Sequence, residues 1–179
     1  MCHPIDVLKF CPKCGSNKFV PAPDYSFKCA ECGFHFFINS AAATAAVIMN
    51  EKGEMLLTRR AENPHKGKLD LPGGFVDPGE NAEIAMRREI AEELNLEVVE
   101  MKFMGSFPNE YVFSNYTVFT TDMGFLCSVK DFSSITFRDD ISGFEFIKPT
   151  EIPFDEISSL SIRNIVQLYI DEYLEVSVK

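Results

Sequence analysis

The order of apolar and polar positions already outlines the elements. From Ala42 to Met49 runs an unbroken stretch of small and β-branched residues, Asn50–Gly53 has turn chemistry, and Met55–Arg59 alternates again, which together predict a β-hairpin. Ala82–Leu94 has helical spacing, with Asn81 as N-cap and Glu83 in the first turn, where its charge favours the helix dipole. At about 100° per residue, Ile84, Ile90, Ala91 and Leu94 fall on the side of that helix away from its acidic residues. Glu97–Phe107, Tyr116–Val129 and Gly143–Lys148 read as strands, the first two long enough to be bent or bulged. Ser161–Leu174 reads as a second amphipathic helix, with Ile162, Ile165, Val166, Tyr169 and Tyr173 on its buried stripe. Strands interspersed with helices in this way predict an α+β domain layered α/β/α.

Residues 1–40 have a different texture, rich in Cys, Pro, Lys and Phe in short alternating runs. They predict a small module at 1–40 ahead of a larger domain at 41–179, and the lack of a Gly/Ser-rich linker predicts docking rather than free swinging. A chain of 179 residues, 46% hydrophobic and 25% charged, can bury a core of its own. No apolar run approaches the roughly 20 residues of a membrane span, and Met1–Phe10 has none of the marks of a signal peptide. The expectation is a cytoplasmic protein with no membrane partner. A formal charge of -10 speaks against nucleic acid as a partner, since phosphate-backbone contacts need clustered Lys and Arg. It leaves room for a small polyphosphate, because cations held by carboxylates invert the local field.

Cysteine usage changes the picture of the first module. Cys11-Pro-Lys-Cys14-Gly15 and Cys29-Ala-Glu-Cys32-Gly33 are near-identical loops on either side of a strand-turn-strand segment. Each C-x-x-C pair offers one edge of a tetrahedron, and the Gly after the second Cys lets backbone N–H groups turn towards sulfur. Four thiolates leave no open coordination position, so the pattern predicts a closed, structural Zn²⁺ site, with iron as the alternative that elemental analysis separates. The module's Lys9, Lys13, Lys18 and Lys28 are offset by Asp6, Asp24 and Glu31, too weak a balance for a surface that tracks phosphates. A folding, docking or dimerising role follows, consistent with a homodimer. Cys2 and Cys127 read as a terminal and a strand position, and His3, His35 and His65 show no ligand spacing.

The segment with most chemistry runs from Leu71-Pro-Gly-Gly74 to Leu96. On a helix Glu89, Glu92 and Glu93 stand at i, i+3 and i+4, so all three project from one face and repel one another. Arg88 alone is too little to compensate them. A solvated acidic face is the plain reading of such a helix. Against it stand the glycine-rich loop leading in and a further carboxylate, Glu80, at the helix mouth. Hard oxygen donors of this kind suit Mg²⁺ or Mn²⁺, which take their remaining ligands from water and substrate phosphates.

This segment resembles the Nudix box: Gly, five residues, Glu, seven residues, Arg-Glu, an aliphatic, any residue, Glu-Glu, any residue, Gly, an aliphatic. Gly74, Glu80, Arg88, Glu89, Ile90, Glu92, Glu93 and Leu96 match, and Asn95 stands where the pattern has Gly. Asn is the next-best residue for the left-handed conformation that ends a helix. With the Cys pairs in front, the chain is similar to the zinc-ribbon-bearing NADH pyrophosphatase branch of that superfamily. At the place of the branch's Trp-containing motif this chain has Gly105–Ser114, and it has no Trp at all.

The resemblance implies a Nudix-type α/β/α sandwich with a mixed sheet behind a small zinc ribbon. It implies metal-dependent attack of water at phosphorus in a nucleoside diphosphate derivative of the NADH or ADP-ribose type. Glu89, Glu92, Glu93 and the carbonyl of Gly74 would hold magnesium, Arg88 would orient the carboxylates, and Glu80 would partner Arg88 or stand outside the metal ligands. The base would be a box glutamate or a later carboxylate, Asp139, Asp140 or Glu145. Arg59 and Arg60 are candidates for phosphate contact or plain surface residues. Phe107 and Tyr111 are candidates for stacking on a base, in a loop fixed by Pro108, or for filling a core. A nucleoside triphosphate sanitising enzyme and a non-catalytic nucleotide-sensing module are the alternatives.

Overall fold

The computed structural model describes residues 3–138 and 140–174. The chain divides into two compact units, one made of Met1–Ala41 with Glu110–Phe119 and the other of Ala42–Asn109 with Thr120–Lys179.

In the first unit a short helix α1 (Pro4–Val7) is opened by His3, whose Nδ1 accepts the N–H of Ile5. β1 (Phe19–Ala22), β2 (Ser26–Cys29) and β3 (His35–Phe37) form an antiparallel meander, with Phe19 opposite Cys29 and Phe27 opposite Phe36. Phe19 and Phe27 stack at 4.8 Å and share their buried cluster with Cys11 and Cys29. So small a core supplies little stability by itself.

The second unit contains β4 (Ala41–Ile48), β5 (Met55–Arg60), β6 (Leu69–Asp70), α2 (Ala82–Leu94), most of β7 (Val98–Phe113) and β8 (Tyr116–Val129), β9 (Ile141–Ile147) and α3 (Leu160–Tyr169). Two three-stranded sheets, β4-β8-β7 and β6-β5-β9, lie between two cores. Alternation along β4 and β5 serves both. Ala45, Val47, Met55 and Leu57 pack with Ile162, Ile165 and Val166 of α3, whereas Ala46, Ile48 and Leu56 pack with Met86, Ile90 and Leu94 of α2. Burial on both faces explains why these strands read as unbroken apolar runs. A parallel bridge from Leu69 to Ile157 makes the arrangement mixed. Among the described residues no helix is long and apolar enough to cross a membrane.

Several local expectations are corrected. β4 and β5 are joined by a turn but do not pair along their length as a hairpin: among the described residues they meet at the Met49–Met55 bridge and then enter different sheets. The reason is that β5 finds a longer partner in β9, paired from Met55↔Ile147 to Arg60↔Ile141. β7 runs on through Pro108 to Phe113, so Phe107 and Tyr111 sit on a strand and not on a loop. β7 is the last strand of its sheet, where a missing N–H is tolerated. The β7–β8 connection turns on Ser114 (φ 50°) and Asn115 (φ 59°), the left-handed pair that suits the twist of a two-residue hairpin. On α2, Ile84 is 54% exposed and Ala91 is also exposed, while Ala85 and Met86 take their places in the core. The buried stripe is therefore rotated towards the acidic face, and it carries Glu93 in with it. Ser161 joins the predicted α3 stripe, and residues Ile170–Leu174 continue that helix as a π-helical turn.

Candidate functional site

α2 begins where Asn81 accepts the N–H of Ile84 at 2.8 Å and ends where Asn95 adopts φ 54°, ψ 37°. A cap of this kind contributes about 1 kcal/mol, and the left-handed Asn95 satisfies the box position where Gly is usual. The helix is pinned by burial of Met86, Ile90 and Leu94, each fully inaccessible. Its acidic face is thereby fixed against the Leu71–Gly74 loop, itself laid on β4 by Ala46 N–H to Pro72 O and Thr44 N–H to Gly74 O, both 2.8 Å.

The two glycines of that loop work by close approach. A Cβ on Gly73 would collide with the backbone of Thr44, and one on Gly74 would stand 2.5 Å from the Glu89 carboxylate. Gly74 is thus the floor on which Glu89 rests. The Gly73 N–H donates to Glu93 Oε2 at 3.1 Å. The Gly74 carbonyl, expected to serve a cation, already accepts from the Thr44 N–H at 2.8 Å and from the Thr44 hydroxyl at 3.4 Å, so a cation there would displace the longer of the two.

Arg88 organises the rest. Its guanidinium donates to both Glu80 oxygens at 3.0 and 2.9 Å, to Glu89 at 2.8 Å, to Glu92 at 3.1 Å and to the carbonyl of Phe75 at 3.0 Å. These bonds to carboxylates, first those of Glu80 and Glu89, hold Arg88 firmly charged and its pKa above the usual value. Glu80 is held below the usual carboxylate range by the same contact. Glu93 is different: only 8% exposed, it is pushed up to about 8 by burial, with Glu89, Asp70 and Asp140 adding like charge and the Gly73 N–H opposing. Burial also raises Glu89, against the pull of Arg88. Glu92 lies at the rim, its side chain 53% exposed. Among the described residues Glu89, Glu92 and Glu93 do not bring their oxygens within 4.8 Å of one another as a group. Their donor set nonetheless fits a hard cation: oxygen only, on one helix face, two members raised by burial and like charge.

The remaining candidates are dispersed. Arg59 is clamped by Glu145 and by Glu156 at 3.1 Å, and it also donates to Gly67 O at 2.9 Å. Arg60 donates to Asp70 at 3.1 Å and to Pro64 O at 2.9 Å. Both guanidiniums are thus engaged by internal partners. Phe107 packs against the α3 core, and Tyr111 stacks on Phe113 at 6.4 Å. Asp140 is exposed and adds negative potential at Glu93, with Arg138 N–H donating to Glu93 O at 3.0 Å close by. Asp139, another base candidate, and Cys2 lie outside the described residues. Asp70, a half-buried carboxylate immediately before the glycine loop, is not among the candidates read from the sequence. Its signal was present: a charge between Leu69 and Leu71, both buried.

In the first unit the sulfur atoms of Cys11, Cys14, Cys29 and Cys32 all lie within 4.8 Å of one another, and none is in a disulfide. Cys11 to Cys32 and Cys14 to Cys29 are both 3.7 Å, close to the edge of about 3.8 Å that a tetrahedron with bonds of about 2.3 Å requires. The loops are built alike. Gly15 N–H bonds Cys11 O and Gly33 N–H bonds Cys29 O, while Cys11 and Cys29 donate to Ser16 O and Phe34 O. Gly15 and Gly33, at φ 74° and 71°, take the left-handed turn that this repeat demands. Backbone N–H groups of Cys32 and Glu31 pull Cys29 down to about 7. The cluster fits a four-thiolate metal site.

Comparison with known proteins agrees with this geometry. The NUDIX domain family model matches residues 39–167. The NAD-capped RNA hydrolase NudC of Vibrio parahaemolyticus is 26% identical over 121 residues, 67% of this chain and 45% of that protein. The chain spans about half the length of such curated relatives. The crystal structure of a NUDIX hydrolase from Nitrosomonas europaea superposes with a TM-score of 0.70 at 21% identity, covering 94% of this chain and 93% of the other. The NUDIX domain of Shewanella oneidensis NrtR, complexed with ADP ribose, has a TM-score of 0.62 at 15% identity over 75% of this chain and 89% of its own. Glycine loop, capped carboxylate helix and a profile match over well over half of the sequence converge, and the chain belongs to the Nudix hydrolase family.

Proposed function

We propose that this hydrolase cleaves the diphosphate of a nucleoside diphosphate derivative of the NADH or ADP-ribose type, using Mg²⁺ or Mn²⁺. The observation that carries the reading is the joint placement of Glu89 on Gly74 and of Glu93 on the Gly73 N–H, beside Glu92 on the same face. Glu89, Glu92, Glu93 and the Gly74 carbonyl would hold the cation, which when bound neutralises diphosphate charge and lowers the pKa of its water. Arg88 keeps Glu89 and Glu92 aimed, and Glu80 holds Arg88 from the other side. The base would be a box glutamate or a later carboxylate, of which Asp140 is exposed whereas Glu145 is engaged by Arg59. The thiolate cluster would hold Zn²⁺ in a structural role, with four protein ligands and no position for substrate.

The substrate class is supported by relatives. One is named for NAD-capped RNA and another is complexed with ADP ribose. With a net charge of -10 the chain suits the small dinucleotide better than an RNA body. The test is product analysis against NADH, ADP-ribose, 5′-NAD-RNA and nucleoside triphosphates with Mg²⁺ or Mn²⁺. NADH or ADP-ribose should go to two monophosphates at the highest kcat/KM. Faster conversion of triphosphates to monophosphate and pyrophosphate would replace this reading with a sanitising one, and no turnover of any would leave a sensing module.

A further inference from the structure

We propose that Asp70 is a positioning residue for the catalytic carboxylates, acting through the glycine loop; the inference rests on the site assignment above. Asp70 closes β6 and immediately precedes the Leu71–Gly74 loop. Its Oδ1 accepts the N–H of Leu71 at 2.9 Å, the first amide of the loop. Its Oδ2 accepts from Arg60 Nη1 at 3.1 Å and from the Ser158 hydroxyl at 2.8 Å. One half-buried carboxylate therefore ties the loop to β5 and to the segment that leads into α3.

The partners are themselves anchored. Ser158 N–H donates to Leu69 O at 2.8 Å, and Arg60 N–H to Lys68 O at 3.1 Å. The far end of the loop is fixed separately by β4, through Thr44 and Ala46. Downstream of the Asp70 anchor stand Gly73, whose N–H holds Glu93, and Gly74, whose carbonyl Thr44 holds and against which Glu89 packs. Release of the Asp70 end frees the loop to shift, and an ångström at Gly73 or Gly74 is passed directly to the carboxylates they support. Displacements of that size are expensive in catalysis.

The chemistry requires Asp at this position. Three donors converge on two oxygens, and both oxygens must accept. An amide offers one acceptor oxygen only, so Asn would orphan either the Leu71 N–H or the Arg60 N–H, even though the Ser158 hydroxyl could turn to accept from the amide. A longer Glu would push one of the three away. A purely structural buried ion pair would predict loss of stability alone. Positioning predicts more: weaker cation binding and a lower kcat at unchanged KM.

The test compares Asp70→Asn, Ser158→Ala and Glu93→Gln in the full chain. Mn²⁺ binding is read from the free-ion electron paramagnetic resonance signal, and kcat and KM are read on the best substrate of the panel. Asp70→Asn should weaken Mn²⁺ binding and lower kcat, each by about 10- to 100-fold, the range found when partners of metal ligands are removed. Ser158→Ala, which removes the hydroxyl that donates to Asp70, should fold as wild type and show a smaller loss of the same kind. Wild-type Mn²⁺ binding and kcat in Ser158→Ala and in folded Asp70→Asn, with Glu93→Gln inactive, would overturn the role of Asp70. An active Glu93→Gln with wild-type Mn²⁺ binding would instead overturn the site assignment on which it rests.

Discussion

Glu93 is a carboxylate that the fold places where negative charge is disfavoured, and this can be measured. Its folded pKa, about 8, lies above the ordinary 4.5, so between these values the folded chain holds the proton more tightly than the unfolded chain does. Its contribution to stability is therefore fully present below about 4.5 and is lost as pH rises to about 8. In buffer without divalent cations the melting temperature should fall across this window, and Glu93→Gln should flatten the fall. Mn²⁺ should restore stability to the wild type and not to the variant. Equal pH slopes in the two proteins would refute the assignment. Gly74→Ala gives a second residue-scale prediction: the new methyl meets the Glu89 carboxylate rather than backbone. Turnover should drop by about 100-fold or more while the melting temperature moves by only a few degrees. Gly73→Ala strikes the Thr44 backbone instead and should lower stability outright. At this scale the matching box residues were legible because their spacing is rigid. Which carboxylate is buried was not, since that depends on a stripe rotated to Ala85 and Met86 by packing against β-strands far away in sequence.

The elements that sequence located best are those with local signals at their ends. α2 runs over Ala82–Leu94 as its cap and dipole chemistry indicate, and the thiolate loops follow from their repeat. What sequence could not supply is pairing, a property of distant partners. β4 and β5 look like a hairpin because their turn is local, and the β9 strand that draws β5 away is over 80 residues further on. Strand β7 passed unnoticed beyond Phe107 because Pro108 suggests a break, and only an edge position makes it harmless. The meander β1–β3 also carries a prediction. With Phe19 and Phe27 as its main apolar content beside two of the cysteines, ligation should supply a large part of its folding free energy. Purified protein should contain about one Zn²⁺ per chain, and Cys11→Ser or Cys29→Ser should lose it and melt earlier. Iron at the same stoichiometry would change the metal but not the site; no metal, with wild-type melting in both variants, would refute it.

For the whole molecule, two helices draw on the same strands from opposite sides. Ala45 and Val47 serve the α3 core and Ala46 and Ile48 the α2 core, so a slip of one residue in β4 would exchange the two. The second unit should accordingly unfold in one step. Calorimetry of Val47→Ala and Ile48→Ala should show that either variant, one from each core, lowers the same transition, by about 2–5 kcal/mol. Separate transitions, each sensitive to one variant, would contradict this.

The membership of Glu110–Phe119 in the first unit bears on the order in which the protein is made. All four thiols are in the chain once residue 32 is added, so the metal loops can close as soon as that segment emerges from the ribosome. The aromatic group that Phe119 forms with His3 and Tyr25 must wait for nearly ninety more residues of synthesis. During that interval the first unit lacks Phe119 and relies on its thiolates, so supply of the ion they hold should bear first on the yield of newly made chains rather than on the finished protein.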